Sequence, residues 1–225
     1  MVNLFDSHTS RLDSWLFKAC MVIARLGLAY LFFTQLFWKL PTKNFGCGAD
    51  FAFPVPAEQN HWDANNSSGL CFWMGLESVF ASKPRQVLVA DMRSAGLPPI
   101  GVNITPLAQL NGFLLDNLFI PQIRVFGWLV WLTEFWVFLS MTLGLFTRLG
   151  ALASLGISTQ LYIGLANIPR PFEFEWTYGL MIVLSIAMLG AAAGRIFGVD
   201  AWLRRKLADA AERGNRLSRI GLLLT

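Results

Sequence analysis

Apolar residues fall into four long runs set apart by polar punctuation. The first runs from about Trp15 to Leu40 and is closed by Pro41. The second runs from about Gln122 to Phe146, the third from about Leu149 to Ile168, and the fourth from about Glu175 to Gly198. Pro169 and Pro171 stop the third run, and Thr147 with Arg148 leaves room only for a tight hairpin between the second and third. A helix needs about 20 apolar residues to cross the hydrocarbon of a bilayer. The pattern therefore predicts an all-α membrane protein: a single domain over residues 1–225, with four transmembrane helices over 15–40, 122–146, 149–168 and 175–198. Trp15, Trp38, Trp128, Trp176 and Trp202 fall near the ends of these runs, where an aromatic belt would place them.

The stretch between the first two runs, residues 41–121, is too long to be a mere connection. Pro84 predicts a short helix through Arg93. Pro106 predicts another, with Leu107, Leu110, Leu114 and Leu118 on one face to lie on the membrane or cap the bundle. Cys47 and Cys71 lie in this loop, and a disulfide between them is expected if the loop is in an oxidising compartment; two free thiols are the alternative. The bridge would close a loop of roughly 25 residues, worth about 3 kcal/mol in the chain-entropy model. After the fourth run, residues 199–225 form a tail whose Val199–Arg219 part can be an amphipathic helix carrying Trp202, Leu203 and Leu207 among arginines. It is expected along an anionic inner leaflet, or else as a docking arm for a partner.

Charge orients the runs. The tail carries Arg204, Arg205, Lys206, Arg213, Arg216 and Arg219, the short hairpin carries Arg148, and Arg11 and Lys18 flank the start of the first run. The long loop has four basic residues against six acidic ones. Basic loops stay in the cytoplasm, so both termini are expected there and the long loop outside, in a bacterial or archaeal inner membrane. Arg170 is the minor exception. No cleavable signal peptide is expected, the first run serving as a signal anchor. Composition agrees: 55% of the 225 residues are hydrophobic and only 14% charged, against about 25% in a soluble domain. The basic residues are not interleaved with stacking aromatics, which excludes nucleic-acid binding.

Polar groups inside the runs demand explanation. Glu134 lies near the middle of the second, where a carboxylate costs a few kcal/mol unless paired or protonated, so it must face the bundle interior. Arg25, Gln35 and Lys39 share one stripe of the first run with Leu28 and Phe32. Glu134 shares a stripe with Phe138, Met141, Leu145 and Arg148. At 1.5 Å per residue, Arg25 and Glu134 differ in height by roughly 7–8 Å, within reach of an arginine. The expectation is an Arg25–Glu134 interaction; the alternative is a protonated Glu134 with Arg25 snorkelling to the cytoplasmic surface.

Other features read as packing before chemistry. Ser154, Ser158 and Tyr162 at steps of four would bond a neighbouring helix. Gly190, Gly194 and Gly198 would give a close helix–helix contact, within the chain or with another subunit. Glu173, Glu175 and Trp176 stand at the outer mouth of the fourth run, where the glutamates read as solvated charges. His61, Trp62 and Asp63 read as solvated loop residues. The only histidines, His8 and His61, lie outside every run, so no haem and no metal is expected. No CxxC, phosphate loop, nucleophile elbow or zinc spacing occurs.

Taken in order, Arg25-Leu-Gly27 leading to Lys39-Leu40-Pro41, Glu134 followed by Thr142-Leu-Gly-Leu-Phe-Thr-Arg148-Leu-Gly-Ala151, then Gly190-Ala-Ala-Ala-Gly194-Arg195 and Gly198-Val-Asp200 resemble the DoxX/DoxD family of small four-span membrane proteins. The long outer loop is similar to the DoxD, thiosulfate:quinone oxidoreductase type. The resemblance implies a quinone-linked redox role, with an isoprenoid quinone as cofactor and a DoxA-like partner. The residues suit that chemistry: Glu134 and Arg25 as the reacting and proton-exchanging groups, with Gln35, Lys39, Arg148 and Trp176 around the quinone. The same pattern would fit a lipid or carotenoid site. The competing function is a non-catalytic subunit of a larger respiratory or photosynthetic membrane complex; a small transporter is disfavoured because no inverted repeat or broken helix is present.

Overall fold

The computed structural model describes residues 11–37, 39, 41–47, 69–90, 92–168 and 175–225. Eight α-helices and one two-stranded sheet are formed among them: α1 (Arg11–Leu36), α2 (Leu70–Ala81), β1 (Gln86–Ala90), β2 (Ile100–Asn103), α3 (Thr105–Leu114), α4 (Ile123–Leu143), α5 (Thr147–Leu165), α6 (Glu175–Ala191), α7 (Val199–Glu212) and α8 (Arg216–Leu224). Trp38, Leu40, His61, Trp62, Asp63, Arg170 and Glu173 lie outside the described residues.

Helices α1 and α4, of 26 and 21 residues, are long and apolar enough to cross a membrane. Little of either is buried within the chain: Ile23, Tyr30, Val125, Leu129 and Leu132 are all exposed. Helix α5 has 19 residues, and α6 has 17. Both also expose large apolar side chains, Leu152 on α5 and Leu180, Val183 and Ile186 on α6. Helices that turn so much aliphatic surface outward are built for an apolar solvent.

The chain divides into two compact units. One comprises Met1–Phe33, Trp136–Ala153 and Leu184–Thr225; the other comprises Thr34–Phe135 and Ser154–Val183. In the first, Phe33 packs on Phe138 with ring centroids 5.0 Å apart, and Leu28, Phe32, Val137 and Met141 are buried. In the second, Phe45, Leu70, Met74, Leu115 and Ile123 form one cluster, and Phe72, Leu76, Leu165 and Ile168 form another. A disulfide joins Cys47 to Cys71 at the start of α2.

The long connection carries more structure than a loop, and one of its expected helices is replaced. After Pro84 the chain forms a strand: Gln86–Ala90 pairs antiparallel with Ile100–Asn103, Gln86 opposite Asn103 and Val87 opposite Val102, with an irregularity before Ala90. The run Val87-Leu88-Val89 favours a strand, and Pro84 supplies a φ that suits extended backbone as readily as a helix start. The helix started by Pro106 does form. Asn103 Oδ1 accepts the Thr105 amide at 2.9 Å at its start, and a π-helical turn (Leu115–Phe119) extends it. Its Leu107, Leu110, Leu114 and Leu118 are exposed, so this face is not packed on the described residues.

The fourth run also differs. Helix α6 stops at Ala191; Ala192 takes a left-handed φ of 47°, a 3-10 turn spans Ala193–Arg195, and α7 begins at Val199. Gly190 has no neighbour that a Cβ would meet, and Gly194 and Gly198 lie beyond the helix. The three glycines therefore make no helix-contact stripe. A side chain at Gly194 would meet the Asp200 carboxylate, Thr147 Cγ2 and the Gly144 carbonyl; one at Gly198 would meet the Gly194 carbonyl, Arg25 Nη1 and Gly144 Cα. The small residues serve a tight turn packed on charged groups.

Candidate functional site: buried carboxylates and a lysine

Glu134 is 1% exposed near the middle of α4, and its Oε1 accepts a 2.5 Å bond from Lys39 Nζ. Lys39 is itself buried, just beyond the end of α1. The basic partner of Glu134 is thus Lys39 of the polar stripe and not Arg25. The reason lies in what Arg25 already does. Its Nη1 donates to the carbonyls of Ala193 and Ile196, each at 3.0 Å, and its Nη2 to that of Phe197 at 3.3 Å. These carbonyls belong to the turn that follows α6, and a guanidinium with five donors is suited to gather them. Arg25 neither pairs with Glu134 nor snorkels; it is buried in the other unit.

Glu134 Oε2 is buried without a hydrogen-bond partner among the described residues. An ionised carboxylate normally has every lone pair engaged when dry, so a spare oxygen marks a place for a further donor. Aromatic rings of α4 accompany the pair. Trp131 stacks on Phe135 at 5.4 Å and donates its indole N–H to the Leu36 carbonyl at 3.2 Å, and Trp128 meets Phe45 and Trp131 edge-on. Gln35 is half-buried in the same unit.

Sequence reasoning missed the second half of this site. Glu77 on α2 is 2% exposed, and its Oε2 accepts from Asn111 Nδ2 of α3 at 2.8 Å and from Gln160 Nε2 of α5 at 2.6 Å. Gly164 lets the carboxylate in, since a Cβ there would collide with Glu77 Oε2 and Cδ. Glu77 lies outside the four runs read as membrane spans. Burial pushes its carboxyl up to about 7, against the two amide bonds and the positive charges of Lys39 and Arg85, which pull it down. Arg85 is buried too. Its Nη1 donates to the carbonyls of Gly164 at 2.9 Å and Ala166 at 3.2 Å, and its Nη2 to that of Phe80 at 3.3 Å. Burial lowers its pKa and the Glu77 charge raises it again. The signal in the sequence was a lone Glu in the apolar run Leu70–Ala81, the same anomaly that singled out Glu134.

The remaining candidates have other surroundings. Arg148 belongs to the other unit, where its Nη1 donates to the Leu223 carbonyl of α8 at 3.4 Å. Trp176 is exposed at the start of α6. Its neighbour Glu175 is no solvated charge: it is buried, accepting the Leu88 amide with both oxygens at 3.0 and 3.1 Å and Asn167 Nδ2 at 2.7 Å. Those bonds hold Leu88 in its left-handed backbone, φ 53°. Ser158 Oγ is buried without a partner among the described residues, so it makes no bond to a neighbouring helix there.

Apolar helices facing outward around buried charges define a helical membrane protein. More narrowly, residues 100–221 match the family model described as "TQO small subunit DoxD", and the chain belongs to the DoxX/DoxD family. The match takes in Glu134, Asn111, Gln160 and Asp200 and leaves Arg25, Lys39, Glu77 and Arg85 outside its span. No match was found among curated proteins or solved structures.

Proposed function

We propose that this chain is the quinone-reacting membrane subunit of a thiosulfate:quinone oxidoreductase-type system, with the Lys39–Glu134 pair at its quinone site. The observation that carries the reading is the spare, buried Oε2 of Glu134 beside an ammonium held 2.5 Å from Oε1. A quinone carbonyl accepts hydrogen bonds, which Lys39 can donate. A quinol hydroxyl donates one, which Glu134 Oε2 can accept. Reduction of a quinone to a quinol consumes two electrons and two protons, and a carboxyl at the ring oxygens supplies a proton route. The Trp131–Phe135 stack and the aliphatic helix faces suit a flat ring and an isoprenoid tail. The electrons come from thiosulfate through a partner chain.

On this reading α1, α4, α5 and α6 are four membrane spans with both termini in the cytoplasm. The exposed leucines of α3 rest on the outer interface, and α7 and α8 lie on the inner leaflet. The C-terminal pair fits that place. Arg204, Arg205, Lys206, Arg213, Arg216 and Arg219 are exposed, and so are Trp202, Leu217, Ile220 and Leu223.

The test is thiosulfate-dependent reduction of a short-chain quinone by the chain purified mildly with whatever accompanies it. Glu134→Gln should lower turnover per folded molecule by about 100-fold, the scale of a lost proton-transfer group, beyond the fall in the unfolding midpoint that an unpaired Lys39 brings. Full turnover in Glu134→Gln would refute the assignment. Stable co-purification with a large complex that has no quinone activity would favour an accessory subunit instead.

A further inference from the structure

Glu77 is a buried carboxyl with no part in the pair just described, yet it is built into the same unit with unusual care. Two side-chain amides from different helices converge on one of its oxygens, and a glycine on α5 is bare where the carboxyl sits. The nature of those donors matters. A backbone N–H can only donate, so it fixes a carboxylate in its ionised form. The amides of Asn111 and Gln160 each carry a carbonyl as well as an NH₂ group. Turned about their terminal torsions, they accept from a protonated acid as readily as they donate to an ionised one. The surroundings of Glu77 thus serve both protonation states.

The charged groups that face Glu77 are Lys39, which follows α1, and Arg85, which precedes β1; the polar ones are Asn111 of α3 and Gln160 of α5. Arg85 is tied to the carbonyls at the ends of α2 and α5. Lys39 acts on both Glu77 and Glu134.

We propose that Glu77 is a second proton-exchanging carboxyl, coupled to Glu134 through Lys39. The step moves no electrons. The O–H bond of a protonated Glu77 breaks and one forms on an ionised Glu134, Lys39 stays an ammonium, and Glu77 is reprotonated from water. An ionised Glu134 neutralises the lysine and lets Glu77 hold its proton; once that proton is on Glu134, the freed lysine charge supports the ionised Glu77 until Glu134 passes the proton on and Glu77 takes up another. Glu77 is therefore a reservoir that refills Glu134. The protonation role stands by itself; its use in quinone turnover rests on the function proposed above.

Infrared spectroscopy of the full-length protein in lipid, titrated through neutral pH, reads protonated carboxyl groups directly. We expect an acid carbonyl band that bleaches with a midpoint near neutrality and is missing from Glu77→Gln. Lys39→Met should move that midpoint upward, because a neighbouring positive charge is lost. Glu134→Gln should move it downward, because the lysine is no longer neutralised. If Glu77→Gln fails to fold, Gln160→Leu gives the same reading: loss of a donor to the ionised form raises the midpoint. A band that survives Glu77→Gln, or in its absence a midpoint that Gln160→Leu leaves in place, would overturn the proton-exchanging role. A midpoint indifferent to both Lys39→Met and Glu134→Gln would overturn the coupling. The intact titration in a protein without quinone activity would instead refute the quinone reading and leave Glu77 as assigned.

Discussion

The two units each bury an arginine that gathers main-chain carbonyls, Arg25 in one and Arg85 in the other, but Asp200 of the first and Glu134 and Glu77 of the second are held in opposite ways. In one, Asp200 at the start of α7 takes the Phe146 amide at 2.7 Å on Oδ1, and the Thr147 amide and hydroxyl at 2.9 and 2.8 Å on Oδ2. It thereby caps the N-terminus of α5 from a distant part of the chain, where a negative charge meets the positive end of the helix dipole. Its own amide donates to the Gly144 carbonyl at 2.8 Å, and Thr147 Oγ1 accepts from the Gly194 amide at 3.1 Å. Arg25 completes the knot through main-chain carbonyls. In the other unit the partners of Glu134 and Glu77 among the described residues are side chains, a lysine and two amides, and one oxygen is left over there. Main-chain partners cannot change protonation or turn away, so Asp200 is a fixed strut. Side-chain partners can do both, so the Lys39 cluster can change state without unfolding the helices around it.

Removing a member of each cluster should separate strut from switch. Asp200→Ala strips the cap from α5 and leaves Arg25 without its facing charge. Breaking a buried charge arrangement in this way costs about 3–5 kcal/mol, read as a large fall in the unfolding midpoint in detergent and a poor yield. Lys39→Met should be nearly as damaging, because Glu134 is left buried and unpaired. Here, however, Lys39→Met combined with Glu134→Gln should recover most of the loss, since a neutral amide needs no counter-ion. A double variant no more stable than Lys39→Met alone would mean that the lysine does something other than neutralise Glu134.

A matched pair of glycines sharpens the contrast. A methyl group at Gly194 runs into the Gly144 carbonyl, 2.7 Å away, and the Asp200 carboxylate, neither free to retreat. Gly194→Ala should cost about 1–3 kcal/mol, as overpacking does. At Gly164 the obstacle is the end of the Glu77 side chain, which can swing aside. Gly164→Ala should lie near the lower end of that range, about 1 kcal/mol. It should also displace the Glu77 carboxyl from its amides, seen as a changed infrared band. Equal thermal shifts for the two variants would remove the distinction.

How much of this was legible in the sequence follows from the kind of signal each feature leaves. The apolar runs behind α1, α4 and α5 announce themselves by length, and Glu134 by standing alone in such a run. That the stripe of Arg25, Gln35 and Lys39 supplies a partner for Glu134 was readable too. Which cation it is was not. The choice turns on carbonyls exposed where α6 ends at Ala191, and an apolar run does not show where a helix inside it breaks. The break was hidden by the small residues Gly190–Gly194, which look like helix-packing residues and serve as turn residues. Glu77 and Arg85 escaped because they fall between the runs, in the long outer loop, where a charge is unremarkable until α2 turns out to be buried.

The smallest effect expected is a slope. Glu77 is held near 7 in the folded protein and returns to the ordinary glutamate range, about 4.3, when the chain unfolds. Below that range both states hold the proton and the fold has its full stability. As pH rises the unfolded chain ionises first, so protons favour the folded state less and less and stability falls. The fall ends near 7, where the folded carboxyl ionises as well. Glu77→Gln cannot ionise in either state, so its thermal midpoint should lose this decline while keeping whatever other pH dependence the chain has. Asp200→Asn should leave the decline in place, because the groups that act on Glu77 are Asn111, Gln160, Lys39 and Arg85. A wild-type midpoint that rises between the ordinary glutamate range and 7, with the same rise in Glu77→Gln, would mean that Glu77 is ionised in the fold and as much a strut as Asp200.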